Sequence, residues 1–198
     1  MRAVEQVSST SHATSVRSLG LGDNRVMARW EEFEVAAPQL AAAAASVLAR
    51  FHFVYVGTVR RDGAPRISPV EAHVVGAELM LVMIAGSRKA RDLARDPRLT
   101  LQSPVTDPGD PGVEVKLRGR VGEVDTVQRA ATADAIAASS GWRPQPSWRF
   151  LAVDIEAVAV LSWQEGELVL TRWDRRRGLR PPVRLRLDAE TSVYRHVS

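Results

Sequence analysis

The chain contains no cysteine, which excludes disulfides, thiolate metal ligands and a cysteine nucleophile together. Histidine is scarce: His12, His52, His73 and His196 are scattered without metal-ligand spacing, so no zinc centre is expected. Long apolar runs are missing. The alanine-rich stretch 41–49 is far too short to span a bilayer and follows the acids Glu31, Glu32 and Glu34. No charged-then-apolar signal sequence opens the chain, so a cytoplasmic protein with no membrane partner is expected. There is no Gly-x-Ser-x-Gly elbow, Walker loop or Rossmann glycine fingerprint, which leaves nucleophilic hydrolysis and nucleotide cradling by a glycine-rich loop without a motif. Lysine is also rare: among 27 Lys and Arg residues, only Lys89 and Lys116 are lysines.

What is present fits one globular domain. The chain has 198 residues, 45% of them hydrophobic and 25% charged, enough to bury a proper core. Net charge is +4 with a pI near 10.3, but much of the excess sits late, in Arg172, Arg175, Arg176, Arg177, Arg180, Arg184 and Arg186. A basic end is a weaker nucleic-acid signal than a basic stripe interleaved with aromatics. Three regions follow from composition. Residues 1–26 are Ser-, Thr-, Gly- and Arg-rich and are expected to form a disordered extension, with Met27 an alternative start. Residues 27–173 form the domain, and residues 174–198 read as an Arg-rich C-terminal tail.

Within the domain, residues 30–51 have helical periodicity broken by Pro38. Residues 53–60 and 65–75 read as strands joined through Arg61-Asp62-Gly63, a hairpin turn sequence. Pro69 inside the second strand requires an edge or a bulge there. Residues 78–84 form a nearly continuous apolar strand, expected to be covered on both faces. A short helix at 88–95 stops at Asp96-Pro97, and a strand follows at 98–103. The Pro/Gly/Asp loop 104–112 is expected to be mobile. Residues 113–124 alternate cleanly as a strand. Asp125 caps a helix that runs to about Ser139 and ends at Gly141, and the strands 148–163 and 167–173 form a last hairpin. Six or seven strands with two or three small helices make a mainly β, barrel-like antiparallel sheet.

The chemistry concentrates where the third strand turns into the short helix. Ser87 is a good N-cap, and Arg88 and Lys89 place two cations in the first turn, opposing a helix dipole that favours negative charge at that end. A bound phosphate would resolve the conflict. Arg66 and Ser68, two apart on the second strand, share a face and could address the same anion. His73 and Glu71 lie on that strand too; His73 reads as a partly buried, hydrogen-bonded side chain rather than a base. Trp163 and Trp173 read as core or interface anchors.

The segments Val56–Val70 (with Arg61-Asp62-Gly63-Ala64-Pro65-Arg66-Ile67-Ser68-Pro69-Val70), Gly86-Ser87-Arg88-Lys89-Ala90-Arg91-Asp92-Leu93 and Asp96-Pro97-Arg98-Leu99 occur in an order that resembles the pyridoxamine 5′-phosphate oxidase-like family, flavin and deazaflavin oxidoreductases. The resemblance covers about residues 30–173. It implies a six-stranded Greek-key split β-barrel that forms a homodimer, with FMN or the deazaflavin F-420 at the subunit interface. It also implies that Arg88 and Lys89 hold the cofactor phosphate with help from Arg66 and Ser87, and that Ser68, Val70, Met83 and Ile84 lie along the ring system. The implied activity is hydride transfer between the cofactor and a small organic substrate. The alternatives are a non-catalytic flavin carrier or sensor, and a nucleic-acid-associated protein using the Arg-rich end. The chain lacks the Arg-x-His segment and the Arg-Leu-x-Pro ending of the vitamin B6 oxidases; the haem-degrading relatives use an iron-ligating histidine, usually in an added segment, whereas His196 falls in the expected tail.

Overall fold

In a computed structural model of the chain, which describes residues 29–105 and 112–197, the helical opening is divided by Pro38 into α1 (Trp30–Ala36) and α2 (Pro38–Phe51). Proline is tolerated at the first position of α2 because that residue has no helical N–H partner to lose. The expected disordered extension 1–26, the alternative start Met27 and loop residues 106–111 lie outside the described residues.

The hairpin β1 (Phe53–Val59) and β2 (Pro65–Val75) turns at Gly63, whose φ of +83° no side chain adopts without strain. Next come β3 (Glu78–Met83), α3 (Arg88–Arg95), β4 (Arg98–Gln102), β5 (Glu114–Glu123), α4 (Thr126–Ser140) and β6 (Arg149–Gln164). The antiparallel strand order is β3-β2-β1-β4-β5-β6, and β3 also pairs with β6, closing a six-stranded barrel. The chain passes from β3 to β4 on the far side of β1 through α3. This crossover gives the barrel its Greek-key character.

Pro69 follows the rule for prolines in sheets. Residues Pro65 to Val70 of β2 pair only with β1, and residues Glu71 to Val75 pair with β3, so Pro69 lies where the strand has one neighbour. β3 is covered on both faces, as its apolar run implies. Leu79, Leu81 and Met83 join the barrel core with Phe33, Leu48, Val56 and Ile155, while Met80 and Val82 lie with Phe150 under Ile136 of α4. Asp125 accepts a hydrogen bond from Gln128 N–H at 2.8 Å, and Gly141 ends α4 in the left-handed conformation.

The segment expected to be a tail is instead part of the sheet. After β7 (Glu167–Asp174), β8 (Gly178–Asp188) and β9 (Val193–His196) extend it. The strand signature was present in the alternation Val183-Arg184-Leu185-Arg186-Leu187, masked by its arginines. Buried Glu167 anchors it, pairing with Arg184 at 3.1 Å and Arg186 at 2.6 Å. His196 therefore sits in an edge strand. Trp173 is buried against Phe33, with ring centroids 5.1 Å apart, and Trp163 is half-exposed beside Tyr194.

At Gly119 the β5–β6 register shifts, and a Cβ there would collide with the Asp154 carbonyl. Gly119→Ala should destabilise the protein by about 1–3 kcal/mol, read as a lower denaturant midpoint at unchanged m-value.

Candidate functional site

The end of β3 and the start of α3 form a tight corner. Ser87 N–H donates to the Ile84 carbonyl at 3.0 Å, and Ser87 Oγ accepts from Ala90 N–H at 3.3 Å. This is the N-cap expected from sequence. The next two backbone N–H groups, of Arg88 and Lys89, have no partner among the described residues. The first turn of α3 carries no acid, and neither Arg88 nor Lys89 forms an ion pair among the described residues. Two free amides, two unpaired cations and the positive end of the helix therefore meet at one corner.

Arg66 reaches this helix through an intermediary that the sequence reading missed. Its Nε donates to Asp92 Oδ2 at 2.7 Å, and Thr58 Oγ1 donates to the same oxygen at 3.1 Å. Thr58 and Arg66 are cross-strand partners in the β1–β2 hairpin, so one carboxylate clamps both strands to α3. Arg95 lies 3.6 Å from Asp92 Oδ1 and donates to the Val59 carbonyl. Arg88 and Asp92 are one helical turn apart, so Asp92 ties the Arg66 guanidinium to the turn that follows the helix start. Arg66 uses only Nε in this clamp, and its two Nη groups have no partner among the described residues. A cleft of about 340 Å³ lies here, lined by Arg60, Arg61, Asp62, Arg66 and Asp92. At the other side of α3, Arg149 of β6 donates to the Ala90 carbonyl at 3.1 Å and pairs with Glu123.

Ser68 shares the Arg66 face of β2 and is half-buried, while Ile84 is 58% exposed at the corner. Val70 and Met83 have their side chains in the barrel core, so these positions can present only backbone to a ligand. The one sequence hint of Asp92 is that it is the only acid in Arg88-Lys89-Ala90-Arg91-Asp92-Leu93-Ala94-Arg95, placed beside buried Leu93. Burial is the largest single influence on the Asp92 carboxyl and would raise its pKa. The hydrogen bonds from Arg66 and Thr58 and the charges of Arg66 and Arg95 together outweigh it, holding the carboxyl below its usual value.

Burial and the nearby His52 push the His73 pKa down, and burial pushes the Glu71 carboxyl up. His73 Nε2 lies 3.5 Å from Glu71 Oε2 without forming a hydrogen bond, so the bond expected from sequence at that atom is not made. No cluster of three or more His, Asp or Glu suited to a metal occurs among the described residues, and no helix there is long and apolar enough to cross a membrane.

The sequence profile of the pyridoxamine 5′-phosphate oxidase family matches residues 40–162, a span that contains the whole corner and its clamp. The chain belongs to that family. This family member shares its fold with ChuZ of Campylobacter jejuni (TM-score 0.60, 7% identity, over 72% of this chain and 62% of that one). It is similarly close to PhzG of Burkholderia lata 383, solved with tetrahydrophenazine-1-carboxylic acid (TM-score 0.55, 11% identity, 79% and 92%). A pyridoxamine 5′-phosphate oxidase-related, FMN-binding protein of Nostoc punctiforme is a third such neighbour (TM-score 0.52, 15% identity, 73% and 96%). No curated protein matches the chain by sequence.

The clamp gives this family member an acid dependence of known sign. Because the native Asp92 pKa lies below the usual 3.8, its stabilisation is complete above about pH 4 and is lost as pH falls through the lower native value. Asp92→Asn should remove that part of the acid slope and cost about 3 kcal/mol at neutral pH by leaving Arg66 without its counter-charge, both measured by denaturation across pH 2–7.

Proposed function

We propose that the protein is a flavin-type oxidoreductase that binds FMN, or the deazaflavin F-420, by its phosphate at the start of α3. The observation that carries this reading is the unpaired Arg88 and Lys89 at an acid-free helix start, with Arg66 tied to the same helix by Asp92. Family membership and the fold shared with the FMN-binding Nostoc punctiforme protein support the FMN form. Both cofactors present a phosphate and a tricyclic ring.

The residues fit such a group by charge and by free donors. Ser87 fixes the corner, the Arg88 and Lys89 amides and side chains would hold the phosphate, and the Nη groups of Arg66 would close around it. Ser68 and Ile84, with the backbone at Val70 and Met83, would border the ring system. A bound flavin-type ring supplies hydride transfer to or from a small organic substrate. The chain's own task is to bind, orient and keep water away.

The reading includes a homodimer. Phe53 and Tyr55 (each 43% exposed), Ile67 (75%) and Ile84 (58%) are large apolar side chains left open on and beside the β1–β2 hairpin. Tyr55 pairs with Pro69 and Gly57 with Ile67, so the outward face of the hairpin is a continuous apolar strip next to the corner. A second copy of this chain, seated there, would cover the strip and close the site.

Arg88→Ala combined with Lys89→Ala should weaken FMN and F-420 binding by about a hundredfold or more, taking roughly 1.5–3 kcal/mol for each charge-assisted contact, with circular dichroism unchanged. Unaltered affinity in a fluorescence titration would refute the phosphate site. Tyr55→Asp with Ile67→Asp should yield monomers by sedimentation and lower cofactor affinity with them. A monomer that binds fully would refute the shared site.

A further inference from the structure

The far half of β2 has a free edge. β1 begins opposite Glu71, so His73, Val74 and Val75 have β3 on one side and no strand on the other among the described residues. His52, which ends α2 in the left-handed conformation, closes the last rung by accepting from Ala72 N–H at 3.4 Å. Side chains alternate along the strand. Ala72 and Val74 therefore turn toward the barrel core, which α2 covers, and His73 and Val75 turn toward the cluster of Met80, Phe150 and Ile136 beneath α4.

A cavity of about 360 Å³ opens where the two helices meet this edge. Its size is at the small end of ligand cavities, with room for one or two rings. Leu48, Val74, Val75 and Ile136, with alanines of both helices, form most of its wall. No Lys, Arg, Asp or Glu lines it among the described residues, and it shares no lining residue with the cleft at α3. Its polar side chains are His52, His73 and Ser139. Ser139 Oγ is already committed, donating to the Ile136 carbonyl at 3.2 Å.

His73 is not satisfied. Its side chain is 13% exposed, and the buried Nε2 has no hydrogen-bond partner among the described residues. Glu71, at 3.5 Å, does not complete the bond. A buried polar atom without a partner is costly, and a ligand group that meets it recovers that cost. Burial first, then the neighbouring His52, favour the neutral imidazole. A neutral imidazole nitrogen donates in one tautomer and accepts in the other, and a hydroxyl answers both. An ionised ligand would find no counter-charge in this wall.

We propose that the cavity between α2, α4 and the free edge of β2 binds a small uncharged alcohol or phenol, its hydroxyl on His73 Nε2 and its apolar body against Leu48, Val74 and Ile136. The site is separate from the start of α3 and does not depend on a flavin being bound there.

The test titrates the full chain, without added cofactor and at neutral pH, with 2-naphthol, naphthalene and 2-naphthoate, which share a ring system and differ in the polar group. 2-Naphthol should bind roughly tenfold more tightly than naphthalene, and 2-naphthoate should bind most weakly. His73→Phe, which keeps an apolar ring and removes the nitrogen, should lower 2-naphthol to the level of naphthalene. Ala135→Leu from α4 and Ala49→Leu from α2 fill the cavity from opposite sides with a good helix former, and each should abolish binding of both. Saturating FMN should leave the 2-naphthol affinity unchanged. Equal affinity for 2-naphthol and naphthalene, tightest binding of 2-naphthoate, or no binding of any of the three overturns the proposal. Competition between 2-naphthol and FMN overturns it as well, by placing the probe at the α3 corner.

Discussion

The buried carboxylate of Asp92 is the contact on which the candidate site depends. Backbone pairing alone makes β1 and β2 a hairpin, and Ser87 alone caps α3; side chains of α3 must fix one to the other, as Arg95 does at the Val59 carbonyl. Asp92 does so by accepting from Thr58 on one strand and Arg66 on the next. An ion taken out of water is costly unless its lone pairs are used, and here the donors come from the elements that need positioning. Arg66 is thereby held through Nε alone, which leaves the broad end of its guanidinium for a ligand. Arg149 repeats the device on the far side, joining β6 to the Ala90 carbonyl.

Much of the barrel was legible because local chemistry and global packing agree in it. Asp62-Gly63 marks the first turn, Pro38 divides the opening helix, Asp125 and Gly141 bound α4, and the unbroken apolar run of β3 matches its burial on both faces. The N-cap and the two cations of the candidate site were legible for the same reason: helix starts have a short-range grammar. Asp92 was not, since its meaning lies in Thr58 and Arg66, and only the folded crossover brings these to α3. The last two strands were misread because composition was given more weight than periodicity. Arginines in Val183-Arg184-Leu185-Arg186-Leu187 looked like solvent-seeking residues, yet every second position is apolar, and Glu167 supplies the countercharge.

Arginine does different work in different parts of this chain. In β8 and at Arg175 it neutralises buried acids and holds the sheet extension in place. At Arg66 it is a fixed wall of a cleft. At Arg88, Arg172 and Arg180 it forms no ion pair among the described residues. With only two lysines in the sequence, nearly all of this positive charge is carried by planar, permanently ionised groups suited to forked contacts with oxyanions.

The closure of the barrel also bears on the order in which the molecule can assemble. Met80 meets Ala152 and Val82 meets Phe150 across a long intervening stretch of chain, a pairing that must bring distant segments together against the entropy of the loop between them. Asp92 lies 26 residues from Arg66 and 34 from Thr58, a shorter loop than the one closed by β3 and β6. Contacts of short separation form sooner than those of long separation. The clamp that holds α3 to the β1–β2 hairpin therefore closes at a lower entropic cost than the seam between β3 and β6.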